Sequence, residues 1–126
     1  MDINNSQVVE EITEAFWRYV EAISTNDIDT VISTFWHSKH VLRYGQGENL
    51  YGIDDIIRFR DKQRGSAIKL DVTRLVITAF GNDYGTANCE MYRSDTRKSA
   101  RMSHTWARFD DGWRIVAAHL SPNPAS

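Results

Sequence analysis

A phenol, guanidinium groups and imidazoles, standing at Tyr19, Arg43, Arg60, His104 and His119, are the groups in this sequence best able to do chemistry. Arg43 is the most telling of them. It lies in VLRY, a short extended run inside FWHSKHVLRYGQGENLYG (Phe35 to Gly52), between two closing aromatics and a glycine-bracketed turn. Successive side chains of a strand point to opposite faces, so Arg43 faces away from Leu42 and Tyr44. A guanidinium stays charged and is costly to bury alone. Turned inward, Arg43 needs an anion, from the protein or from a ligand. Turned outward, it is a solvated residue above a buried Leu42 and Tyr44. The strand alone leaves both orientations open.

Three helices are expected to position these groups. The first runs from about Ser6 to Ser24, with Ile12, Phe16, Tyr19 and Ile23 recurring on one face of a 3.6-residue period. Tyr19 thus falls within the apolar stripe, where its hydroxyl needs a partner or a cavity. Asn26 is expected to cap a second helix, with Asp29 in the capping-box position and Ile28, Val31, Ile32 and Phe35 as its stripe. The third is expected from Ile53 to Arg64. Ile53, Ile56 and Ile57 set its inner face, which continues through Arg60 and Arg64. Arg64 reads as a solvated cation at a helix C-terminus. Arg60 can line a pocket mouth or face solvent.

From Ala67 the period changes to two. LDVTRLVITAF, YGTANCEMYRS, SARMSHTWARF and WRIVAAHLS read as four strands separated by GND, SDTRK and the hairpin signal DDG. Helices followed by antiparallel strands predict an α+β layer with a cavity between helices and sheet. By strand parity His104 and Trp106 share a face. Parity also groups Ile115, Ala117, His119 and Ser121 opposite Val116, Ala118 and Leu120. A histidine among apolar neighbours is more commonly a satisfied core residue than a catalyst.

Composition narrows the classes. At 126 residues the expectation is one domain over residues 1–126. A net charge of −2, with no dense Lys/Arg stretch, argues against nucleic acid as a partner. Cys89 is the only cysteine, which excludes an intrachain disulfide and suits a reducing, cytoplasmic compartment. It reads as core, with no basic same-face neighbour closer than Arg93. MDINNSQ lacks signal-peptide character, and no apolar run approaches membrane-spanning length. His37 and His40 have no cysteine or acidic cluster to complete a metal set. GQGENLYG lacks the lysine and length of a phosphate loop.

The motifs FW, RYGQGENLYG, FRDKQR, SHTWAR and GWRIVAAHLS, in that order from near Phe16 to Ser121, carry a resemblance to the NTF2-like superfamily. Within it they are most similar to the AtzH-like group, linked to oxalurate and cyanuric acid catabolism. The resemblance implies a cone of three N-terminal helices wrapped by a curved antiparallel sheet. The closing segment ARMSHTWARFDDGWRIVAAHLS is also similar to the association domain of calcium/calmodulin-dependent kinase II. RYVEAISTNDID resembles the first helix of ketosteroid isomerases, which places Tyr19 where those enzymes hold an oxyanion-binding tyrosine. Arg43 stands where they keep the aspartate base, and His104 where their protonated aspartate belongs. A fixed cation in place of a carboxylate base reverses the site's electrostatics and implies an anionic substrate.

The AtzH-like resemblance implies a cofactor-independent, decarboxylating amidohydrolase acting on an N-carboxylated urea such as 1,3-dicarboxyurea, with Tyr19 and Arg43 as its catalytic pair. Oxalurate, an N-acyl urea bearing a carboxylate, has the same general shape. Trp36, Arg60, His104, Trp106, His119 and Ser121 are the pocket-lining candidates, on strand parity or helix face together with weaker resemblance. A small-carboxylate-binding domain and an oligomeric association module are the non-catalytic alternatives. A homodimer or higher homo-oligomer through the exposed sheet face is expected, because a sheet covered on one side leaves the other needing a partner.

Overall fold

A computed structural model describes residues 1–124. Helices α1 (Ser6–Ser24), α2 (Ile28–Thr34) and α3 (Ile53–Asp61) pack on one face of a six-stranded sheet, with β1 (Leu42–Tyr44) and β2 (Asn49–Tyr51) lying between α2 and α3 in sequence. The remaining strands are β3 (Leu70–Phe80), β4 (Tyr84–Arg93), β5 (Lys98–Phe109) and β6 (Gly112–Pro122). Their order across the sheet is β2-β1-β6-β5-β4-β3. The sheet is curved and does not close, giving the expected α+β cone. One feature departs from an all-antiparallel sheet: β1 runs parallel to β6, pairing Arg43 with Ala118. Among the described residues no helix is long and apolar enough to cross a membrane.

Helix α1 has the bounds its periodicity predicts, and Asn5 caps it by accepting from the backbone of Gln7 and Val8. Its buried stripe, including Ile12, Phe16 and Tyr19, fills the concave side of the sheet together with Trp106, Ile115 and Met91. Trp113 Nε1 donates to Glu11 Oε1 at 2.8 Å, tying β6 to this helix.

Helix α2 corrects the expected cap. Asp27, not Asn26, accepts from the Thr30 backbone. Asn26 adopts a left-handed backbone (φ 58°) and binds a distant turn, donating to the carbonyls of Gln63 and Ser66 and accepting from Gly65 N–H at 2.8 Å. This clamp fixes the chain just beyond α3, which ends at Asp61 instead of reaching Arg64. Arg64 lies on the surface, paired with Asp29 and Asp61.

The largest difference from parity lies in β6. Thr105 pairs with Ala117 while Trp106 pairs with Ile115, so Val116 is an extra residue. Such a bulge reverses the alternation beyond it. Trp113 and Ile115 point inward before it, and Ala118 and Leu120 after it.

Candidate functional site

A cavity of about 230 Å³ opens between α1, α3 and the sheet, bordered by Tyr19, Arg43, Glu48, Phe59, Arg60, Gln63 and Arg93 among others. Each polar group arrives from a different element. Tyr19 comes from the buried stripe of α1, Arg60 from the last turn of α3, Arg43 from β1 and Arg93 from the end of β4. Arg43 faces inward, with only 7% of its surface exposed.

Three arginines therefore meet at one cavity, and they are neutralised unequally. Arg93 is held by Asp95 through two contacts, Nε to Oδ1 at 3.0 Å and Nη2 to Oδ2 at 2.7 Å. Arg43 donates through Nη1 alone to Glu48 Oε1 at 2.7 Å. Among the described residues no carboxylate pairs with Arg60, although it is 4% exposed. Arg60 Nη2 donates to Tyr19 Oη at 2.6 Å and Nη1 to Gln63 Oε1 at 3.0 Å, while its buried Nε has no partner there. Burial, with Arg43 and Arg93 nearby, pulls the Arg60 guanidinium down to about 10, so it remains a cation at neutral pH. Aromatic faces supply part of its solvation: its guanidinium carbon lies 5.8 Å from the Phe35 ring centre and 5.6 Å from that of Phe59.

Tyr19 accepts from a cation, which leaves its own O–H available to donate. Behind it stands His104, with ring centres 5.3 Å apart at a steep angle. Burial, and then the charges of Arg43 and Arg60, push the His104 imidazole down to about 3. It is neutral at physiological pH and unsuited to carry a proton in turnover. Neither ring nitrogen, nor Trp106 Nε1 beyond it, has a hydrogen-bond partner among the described residues.

Of the residues singled out from sequence, the fold thus brings Tyr19, Arg43 and Arg60 to one cavity, with His104 and Trp106 behind its wall. Three are placed elsewhere. His119 and Ser121 face outward because of the Val116 bulge, His119 against Tyr44 and Ser121 accepting from Arg101 Nε at 3.0 Å. Trp36 stacks between Phe109 and His40 in a separate groove. The guanidinium bonded to the Tyr19 hydroxyl is that of Arg60, 41 residues away, while Arg43 borders the same cavity. Glu48, Gln63 and Arg93 were not read as site residues from sequence. For Glu48 the available signal was an acid five positions from Arg43 across a glycine turn.

A wider depression of about 540 Å³ lies on the outer face of the sheet, where Arg74, Glu90 and Arg101 border it. Arg74 and Arg101 are exposed there. A solvated arginine makes little demand for a ligand, whereas the enclosed Arg60 makes a strong one. The smaller cavity is therefore the candidate site.

Comparison with known proteins supports the same frame. A protein of unknown function from the DUF3225 family of Pectobacterium atrosepticum is 39% identical, covering 97% of this chain and 95% of its own, with a TM-score of 0.91. A cystatin-like fold protein from Burkholderia xenovorans is 36% identical, covering 97% and 96%, with a TM-score of 0.87. An NTF2-like superfamily protein from Salmonella enterica is 25% identical over 96% and 95%, with a TM-score of 0.78. No curated protein matches the chain. The AtzH-like family model matches residues 1–125. With its helices packed on a curved sheet as in the NTF2-like superfamily, the chain belongs to the AtzH-like family.

Proposed function

We propose that the cavity binds a small carboxylate and that the protein is a cofactor-independent, decarboxylating hydrolase of an N-carboxylated urea such as 1,3-dicarboxyurea. One observation carries the reading: Arg60, a buried cation that pairs with no carboxylate among the described residues, donates to the phenol of Tyr19 at the cavity wall. In the proposed reaction the C–N bond to the leaving carboxylate breaks and carbon dioxide departs, to be hydrated in solution to bicarbonate, so that the net change is hydrolysis. The electron pair stays on nitrogen and spreads to the adjoining urea oxygen. Arg60 stabilises the charge developing on that oxygen, in a site where a fixed dipole or cation acts far more strongly than in water. The Tyr19 O–H delivers a proton to nitrogen, and solvent restores it. Arg43 anchors the carboxylate that the product retains, which a guanidinium can grip by two hydrogen bonds.

Release of carbon dioxide from 1,3-dicarboxyurea tests this. Tyr19→Phe is expected to slow it about a hundredfold or more, with carboxylate binding changed by no more than about 1 kcal/mol. Equal consumption by variant and wild type removes the catalytic assignment. A carboxylate-binding domain without turnover is the reading that then remains.

Pairing of two copies through the outer sheet face, where Val76, Tyr84 and Tyr92 are exposed, belongs to the same proposal. A particle of twice the chain mass in light scattering supports it, and a monomer removes it.

A further inference from the structure

We infer that Glu48 is a displaceable resident carboxylate: it occupies Arg43 while the cavity is empty, and a carboxylate of the ligand takes its place. This deepens the carboxylate-site reading above and rests on it. The contrast with Arg93 is the first argument. Asp95 grips Arg93 by two parallel bonds and is itself fixed by the Thr96 backbone, a pair that a ligand does not open. Glu48 engages a single nitrogen of Arg43. Among the described residues its other oxygen receives only a 3.2 Å contact from Gly47 N–H.

Solvent access is the second argument. The Glu48 side chain is 25% exposed and that of Arg43 only 8%. Moving the acid into water costs little, whereas the arginine it leaves must be paired again. An incoming carboxylate supplies that partner. The replacement occurs at the cavity itself, because both residues border it.

Gly45 gives the third argument. A Cβ at this position would overlap the Glu48 carboxylate and lie 2.9 Å from Arg43 Nη1. The absence of a side chain is what lets the acid fold back onto the arginine. Gly45 is not among the glycines with positive φ, so an alanine there meets no backbone strain. Gly45→Ala thus closes that place on Arg43 to any carboxylate, that of Glu48 or of a ligand, without altering the charge of the protein, whereas Glu48→Gln removes the resident charge and leaves the place open.

The two guanidinium groups border the same cavity. Both lie near Phe59, with their central carbons 5.1 Å (Arg43) and 5.6 Å (Arg60) from its ring centre. The probe is malonate, titrated calorimetrically into wild type, Glu48→Gln, Gly45→Ala, Arg43→Gln and the Arg43→Gln/Glu48→Gln double variant. Glu48→Gln is expected to bind malonate about tenfold more tightly than wild type and Gly45→Ala more weakly, and the gain from Glu48→Gln is expected to vanish when Arg43 is absent. Unchanged or weaker binding by Glu48→Gln overturns the inference, and so does a gain that persists without Arg43, which marks a general charge effect. Binding of malonate by none of the proteins overturns the carboxylate site itself, and this inference falls with it.

Discussion

The hydroxyl of Tyr19 accepts a 2.6 Å hydrogen bond from Arg60 Nη2, and both side chains are enclosed, at 1% and 4% exposure. A phenol and a guanidinium, contributed by α1 and α3, thus form one polar unit inside the cone, beside the buried Arg43 and His104. Its unmet demand is for negative charge.

That demand predicts an unusual response to Arg60→Met. A buried cation without a partner acid costs free energy, and an apolar residue of similar volume commonly removes the cost. The melting temperature is expected to hold or rise while malonate affinity falls at least about tenfold. Differential scanning fluorimetry and calorimetric titration read the two effects separately. A lower melting temperature with unchanged affinity would make Arg60 a structural residue.

His104 predicts a pH dependence. Its imidazole titrates near 6.5 when unfolded and near 3 in the fold, chiefly because of burial. Between these values the unfolded chain takes up a proton that the folded chain refuses, so stability falls as pH drops through this window. The loss approaches about 1.4 kcal/mol per pH unit, and above pH 6.5 the contribution is constant. His104→Phe is expected to give a flatter profile between pH 6.5 and 4 in chemical denaturation. Parallel profiles would show that His104 is not the group responsible.

The bulge at Val116 predicts which of the other polar residues matter. His119→Ala and Ser121→Ala change side chains on the outer face and are expected to leave both malonate affinity and carbon dioxide release within about 0.5 kcal/mol of wild type. Loss of turnover in either variant, in a protein that still melts normally, would contradict the placement of the site.

These residues also mark where the sequence was legible. A 19-residue helix with a strong apolar period declares both its ends and its buried tyrosine, because the pattern repeats over five turns. The four long strands were equally plain. Their faces were legible only as far as the alternation holds, and one extra residue in β6 turned His119 and Ser121 outward. Nothing in a three-residue strand announces that β1 will run parallel beside β6, yet that pairing helps set Arg43 against the cavity. Alternation in a strand allows Arg43 to face either way, and its acid, Glu48, stands only five residues on. The partner of Tyr19 was hidden for a different reason. A bond between residues 41 apart depends on how α3 leans on the sheet, and the Asn26 clamp that fixes its exit looked like an ordinary helix cap.

The most direct test of the central claim is a crystal structure of the protein grown with malonate at neutral pH. The account predicts a malonate carboxylate within hydrogen-bond distance of Arg60 beside the Tyr19 hydroxyl, and the second carboxylate on Arg43 with Glu48 swung away. Malonate bound only on the outer sheet face, or a cavity in which Arg60 has found a protein carboxylate instead, would contradict it.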